Sequence, residues 1–140
     1  MNPRDVISLM SKIRGRVNRL IISEMLKRGV DGIVTSHGDI IHALFNRPRL
    51  TMAEIAAKIG RDKSTVTALV GKLVRLGYVT KERDTEDTRV VYVALTEKGR
   101  ALKPMFEEIS DGILDLFYTG VSEEEKEELN RILNKIYKNF

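Results

Sequence analysis

Residues 50–96 read LTMAEIAAKIGRDKSTVTALVGKLVRLGYVTKERDTEDTRVVYVALT. Thr51 followed three residues later by Glu54 is a capping-box pattern, in which hydroxyl and carboxylate each satisfy an amide left free at a helix start. Ile55, Ala56 and Ile59 follow at helical spacing, and Gly60 supplies the stop. Asp62 is placed to cap a second helix. There Val66, Leu69, Val70, Leu73 and Leu76 form one apolar stripe. The opposite face carries Ser64, Thr67, Ala68, Gly71, Lys72 and Arg75, with Thr65 at its edge, and no carboxylate. An ordinary solvated helix face interleaves Glu with Lys. Small polar residues instead let a backbone approach another surface closely, with hydroxyls for phosphate oxygens or base edges and cations for phosphates.

Gly77 ends the second helix. Tyr78–Glu82 and Arg89–Leu95 read as strands, the second alternating Val91, Val93, Leu95 against Val90, Tyr92, Ala94. A charged loop, Arg83 to Arg89, lies between them. Two short helices followed by a hairpin with a charged tip are the winged helix-turn-helix plan. Its second helix enters the major groove, and its wing reaches the backbone or the minor groove alongside.

The residues Asp62-Lys63-Ser64-Thr65-Val66-Thr67, then Leu73-Val74-Arg75-Leu76-Gly77-Tyr78-Val79, Arg83, Asp87-Thr88-Arg89 and Leu95-Thr96-Glu97-Lys98-Gly99 closely resemble the MarR family of bacterial and archaeal transcriptional regulators. The D-x-R wing signature with a following L-T-x-x-G is specific when it comes after such a helix. The resemblance covers the whole chain. It implies a mainly α fold with a small β-hairpin wing: a winged helix-turn-helix core at 35–96, an N-terminal dimerisation helix and loop at 1–34, and C-terminal dimerisation helices at 97–140. It implies double-stranded DNA as partner, with Ser64, Thr65, Thr67 and Lys72 against base edges and nearby phosphates. Lys63 and Arg75 fall to the backbone at either end of the helix. Arg83, Asp87, Thr88 and Arg89 fall to the wing, with Asp87 bracing its turn and Thr88 or Arg89 reaching the minor groove. The family often has a second basic residue between the Asp and Arg of the wing; here that position is Thr88. The resemblance also implies a repressor released by a small-molecule effector, often an aromatic or lipophilic anion, with His37 a candidate for the effector pocket.

The flanks fit this plan. Arg4 to Arg28 reads as one long helix, with Val6, Met10, Ile13, Val17, Leu20 and Ile21 as a stripe that Leu9, Ile22, Met25 and Leu26 widen. Thr35 or Ser36 is placed to cap the next helix, which carries Ile40, Ile41, Leu44 and Phe45 and is expected to end at Pro48. Thr96 is expected to cap a long helix kinked around Arg100 to Pro104, because proline removes a donor and clashes with the preceding turn. Gly112 is a second soft point in it. Ser122 with Glu125 opens a last helix, whose glutamates sit at its positive end. Three apolar stripes around so small a core call for a second subunit, and a two-fold dimer sets two reading helices side by side on an inverted repeat.

Composition narrows the classes. The chain has 140 residues, net charge +4 and no cysteine, which excludes disulfides and thiolate chemistry. Residues 1–30 hold seven basic and two acidic side chains, and residues 47–89 ten and six, whereas 90–140 hold seven and ten. Positive charge thus gathers in the first helix and the reading module. There is no secretory signal and no long apolar run, so a cytoplasmic protein is expected with no membrane partner. His37 and His42, five residues apart, do not share a helix face and have no Cys or Glu cluster beside them. No metal or cofactor is therefore expected. No serine-histidine-aspartate order, P-loop or glycine-rich dinucleotide turn is present, so an enzyme is not expected. A winged-helix protein-interaction module and a nonspecific architectural DNA-binding protein without effector control are the alternatives.

Overall fold

The structure, a computed structural model, describes residues 2–140. Seven helices and three short strands follow in the order α1 (Asp5–Lys27), α2 (Thr35–Leu44), β1 (Leu50–Thr51), α3 (Met52–Ile59), α4 (Lys63–Arg75), β2 (Val79–Arg83), β3 (Val91–Leu95), α5 (Glu97–Arg100), α6 (Lys103–Phe117) and α7 (Glu123–Tyr137).

Local chemistry sets most boundaries. Glu54 N–H donates to Thr51 Oγ1, and Thr51 N–H donates to the Glu54 carboxylate, both at 3.0 Å. Gly60 closes α3 in the left-handed region, at φ 67°. Thr65 N–H donates to Asp62 at 2.7 Å to open α4. Ser122 and Glu125 exchange the same pair of bonds at the start of α7.

The core lies where α2, α3, α4 and the sheet meet. Ile40, Ile41, Leu44, Leu50, Ile55, Val66, Val70, Leu73 and Val93 are fully buried there, with Met25 from α1. Within α4, Val66, Val70 and Leu73 are buried while Lys63, Ser64, Thr67 and Arg75 are exposed. The outer helices are different. Met25 is the one buried residue of α1, Ile109 that of α6, and α7 has none.

The β2–β3 hairpin forms as expected, and β1 adds a third strand to give the antiparallel order β1-β3-β2, because Leu50 and Thr51 pair with Val93 and Tyr92. Three expectations are corrected. Neither Thr35 nor Ser36 caps α2: Val34 is the N-cap residue, and its N–H donates to His37 Nδ1 at 2.9 Å. That helix ends at Leu44, four residues before Pro48. The Thr96-capped helix is two helices. Thr96 caps the four-residue α5, the chain turns at Ala101 and Leu102, and Pro104 falls in the first turn of α6. A proline there loses no intrahelical hydrogen bond, so the chain restarts its helix instead of bending one. Gly112 does not interrupt α6.

The junction of α4, β2 and α5 explains the L-T-x-x-G motif. Thr96 Oγ1 donates to the Gly77 carbonyl at 2.6 Å and accepts from Gly99 N–H at 3.1 Å. A Cβ on Gly99 would stand 2.1 Å from the Tyr78 carbonyl oxygen, so only glycine fits. Lys98 Nζ donates to the Leu76 carbonyl at 2.8 Å and lies over the Tyr78 ring, covering the negative end of α4.

Candidate nucleic-acid interface

The interface is built on α4. Its buried stripe anchors it, so the opposite side stands outward: Lys63, Ser64, Thr67, Ala68 and Arg75 are exposed, and Thr65, Gly71 and Lys72 are half-buried. No carboxylate lies on this face beyond the cap residue Asp62. The amide of Thr65 and the hydroxyl of Ser64 hold the Asp62 carboxyl below the ordinary aspartate pKa. The hydroxyls are engaged within the chain. Ser64 Oγ donates to Asp62 at 2.8 Å, and Thr67 Oγ1 donates to the Lys63 carbonyl at 2.9 Å. Toward an outside partner they offer lone pairs first; donating to phosphate requires only a turn of the hydroxyl.

The wing places two arginines. Arg89 grips Asp87 with two parallel bonds, Nε to Oδ1 at 3.0 Å and Nη2 to Oδ2 at 3.1 Å, and its own N–H also reaches Asp87. This fork lowers the Asp87 pKa and raises that of Arg89. The Arg89 side chain is nonetheless 89 % exposed. Arg83 reaches across the loop and donates to the Thr88 carbonyl. The structure therefore brings Arg83, Asp87, Thr88 and Arg89 together at one hairpin tip. Arg83 and Asp87 shape the turn, and Thr88 and Arg89 project from it.

His37 sits elsewhere. It is buried beneath the start of α2, where loss of water and the positive charge of Lys72 lower its pKa. It does not line the cavity on the far side of α2, whereas His42 does. Among the described residues no cluster of His, Cys, Asp or Glu is placed to hold a metal ion.

Three features escape a sequence reading. Arg49 stacks over Tyr92, 3.7 Å from the ring centre, on the outer side of the sheet. The Arg61 guanidinium donates to Ser36 Oγ at 3.0 Å, tying the turn before α4 to α2. A cavity of about 250 Å³ opens between α1, α2 and α6, walled by Ile21, Met25, Phe106, Ile109, Ile113 and Leu114. None has a local sequence signal, because each joins residues far apart in the chain.

Comparison with known proteins agrees with this geometry. A family model described as "MarR family" matches residues 29–90. The chain is 33 % identical over 102 residues to the HTH-type transcriptional regulator SarZ of Staphylococcus haemolyticus, covering 72 % of this chain and 68 % of that protein. SarZ of Staphylococcus aureus is 31 % identical over the same length and shares. Among solved structures, the S. aureus MepR–DNA complex superposes with a TM-score of 0.86 at 24 % identity, covering 95 % of this chain and 96 % of that one. A mutant E. coli MarR complexed with operator DNA gives 0.84 at 18 % identity, covering 94 % and 93 %. With 33 % identity to SarZ over more than two thirds of each chain and a matching family model, the chain belongs to the MarR family of transcriptional regulators.

Proposed function

We propose that this regulator binds double-stranded DNA as a homodimer, reads an inverted-repeat operator, and acts as a repressor released by a small-molecule effector. The observation that carries the reading is the outward face of α4, free of carboxylates and uncovered by the chain, beside a wing whose Arg89 stands in solvent. In this reading Ser64, Thr65, Thr67 and Lys72 face base edges and adjacent phosphates in the major groove. Lys63 and Arg75 take backbone phosphates, and Thr88 and Arg89 follow the neighbouring groove. Segment 35–96 reads DNA, while 1–34 and 97–140 pair the subunits.

Pairing is supported by the apolar side chains that α1, α6 and α7 leave in solvent. Ile7, Met10, Leu116, Leu133, Ile136 and Phe140 are all exposed. Such a surface is costly in water and is covered by a second copy. The cavity between α1, α2 and α6 is the effector's place, because it touches both the pairing helices and the reading module. An effector that fits it better when the two α4 helices are wrongly spaced weakens operator binding by the same factor.

Selection of bound sequences from random DNA, at physiological salt, tests the reading. The expected result is an inverted repeat with half-site centres about 34–36 Å apart and a preference of ~10³ or more over bulk DNA. Sequences without a consensus would leave a nonspecific binder as the better account.

A further inference from the structure

The cavity between α1, α2 and α6 has an uneven chemistry. Its walls are aliphatic or aromatic, apart from Thr35, Asp39, His42 and Ser110. No lysine or arginine lines it. Of the cations nearby, Arg28 of α1 is held by Glu24 at 2.7 Å and by Glu108 of α6 at 3.2 Å, and Arg61 donates to the Ser36 hydroxyl, while Arg14 acts on Asp39 from outside the lining residues. Asp39 makes no ion pair within 4.0 Å among the described residues.

Asp39 stands at the rim, open to solvent on one side. On the other side the walls strip enough water from its carboxyl to raise its pKa, against the opposing pull of Arg14, His42 and Arg61. Below it the Thr35 hydroxyl is buried with no hydrogen-bond partner. Phe106 lies against Gly38, where a Cβ would meet the ring at 3.7 Å, and it forms part of the cavity wall. An aromatic wall and an unpaired carboxylate attract positive charge, the ring through its quadrupole and the carboxylate by Coulomb's law. An anion entering here would meet one fixed negative charge on the wall itself, with no lysine or arginine among the lining residues.

We propose that this cavity takes a hydrophobic organic cation, an aromatic amine or quaternary ammonium of one or two rings, with Asp39 as its counter-ion. The proposal rests on the reading of the cavity as the effector's place, and it departs from the lipophilic anion that family resemblance implies. The ring enters among Ile21, Met25, Ile109 and Ile113. The ammonium stays at the rim between Asp39 and Phe106. The Thr35 hydroxyl is left to bond a polar group carried on the ring.

Three ligands that share one ring system test this: 1-naphthylmethylamine (a cation at neutral pH), 1-naphthylmethanol (neutral) and 1-naphthoate (an anion). Calorimetric titration of the full-length protein should give the order amine, alcohol, acid, with the amine about tenfold or more tighter than the acid. Asp39→Asn should bring the amine down to the affinity of the alcohol and leave the alcohol unchanged, while Asp39→Glu should keep the preference. Thermal melting of each variant reports that it is folded. Equal or tighter binding of the naphthoate, an amine affinity untouched in Asp39→Asn, or no binding of the amine at millimolar concentration would each overturn the proposal. DNA selection with the ligand-free protein is read separately, so an operator consensus obtained alongside any of these outcomes leaves the DNA-binding reading standing.

Discussion

The guanidinium of Arg61 donates to the hydroxyl of Ser36 at 3.0 Å, joining the residue before the Asp62 cap of α4 to the first turn of α2. Thr35 and Asp39, on either side of Ser36, line the cavity. Beside the shared core, this contact gives a displacement of α2 a polar route to the start of α4. Arg61→Ala should leave operator affinity without ligand nearly unchanged. It should reduce the effect of 1-naphthylmethylamine on that affinity by about 0.5–2 kcal/mol of coupling. Fluorescence anisotropy on labelled operator, with and without the amine, measures both, and identical coupling in the variant would remove this contact from the route.

Arg89 is already paired with Asp87, so its worth to DNA binding is not obvious from exposure alone. A guanidinium that has given two donors to a carboxylate keeps further N–H groups for a phosphate. Arg89→Ala should weaken operator binding and flatten the plot of log affinity against log salt by roughly one counterion. An unchanged slope would place Arg89 as a brace only. Lys72→Ala should show a comparable loss of affinity in a gel shift, and a shift equal to wild type would exclude Lys72 from the interface.

Two glycines should respond in opposite ways to alanine. At Gly99 the added Cβ collides with backbone, 2.1 Å from the Tyr78 oxygen, so Gly99→Ala should cost about 1–3 kcal/mol and lower the melting temperature. At Gly71, inside α4, the nearest group is the flexible Arg75 Nη1 at 3.5 Å. Gly71→Ala should stabilise the fold by about 0.5–1 kcal/mol. If the α4 face abuts DNA, the same methyl should lower operator affinity. Melting curves and gel shifts together separate the two effects, and Gly71→Ala with undiminished affinity would argue that this face never closes on a duplex.

His37 makes stability depend on pH. Its folded pKa lies below the ordinary 6.5, chiefly through burial and then through Lys72, and its Nδ1 accepts the Val34 amide only while unprotonated. Below 6.5 the unfolded chain therefore binds a proton that the folded chain refuses. The contribution of His37 is complete above that value and is lost as pH falls through the folded pKa. His37→Gln keeps an acceptor three residues past the cap and cannot titrate in this range. Denaturant midpoints between pH 7 and 5 should fall more steeply for wild type than for His37→Gln. Parallel curves would assign the acid sensitivity to other groups.

The apolar side of α7 offers a direct test of pairing. Leu133 and Ile136 are partly exposed, and with Met10 of α1 they border a shallow groove. Ile136→Asp would place a charge in the proposed subunit contact, where an unpaired buried charge is heavily disfavoured. Sedimentation equilibrium should then report the monomer mass where wild type reports twice that. A dimer that survives Ile136→Asp unweakened would move the contact away from this stripe.

Much of this was legible residue by residue wherever the cause is local. The Thr51–Glu54 and Ser122–Glu125 boxes, the Asp62 cap, the Gly60 stop and the α4 stripe each act over a few residues, and each stands where its pattern indicates. The misses are all nonlocal or competitive. Two-residue β1 exists only because Leu50 and Thr51 meet β3 some forty positions later. Val34, not Thr35 or Ser36, is the N-cap residue of α2, and its amide is taken by the His37 imidazole of the first turn. Pro104 reads as a kink from within a long apolar period, yet the turn at Ala101 and Leu102 makes it a helix opener. The candidate interface on α4 and the wing followed from composition. The cavity did not, since its walls come from three separated helices and Asp39 has no distinguishing neighbour in the chain.

Val66, Val70 and Leu73 root α4 so deeply in the core that the helix has little freedom to tilt alone. On the proposed reading, α4 then moves with its whole core rather than alone, so the residues that face DNA are separate from those that line the cavity. If the proposed reading holds, substitutions along the chamber bordered by Asp39 should retune the signal while the promoter address stays constant. Such a division would mark that chamber as the part to redesign when building a sensor for a chosen amine.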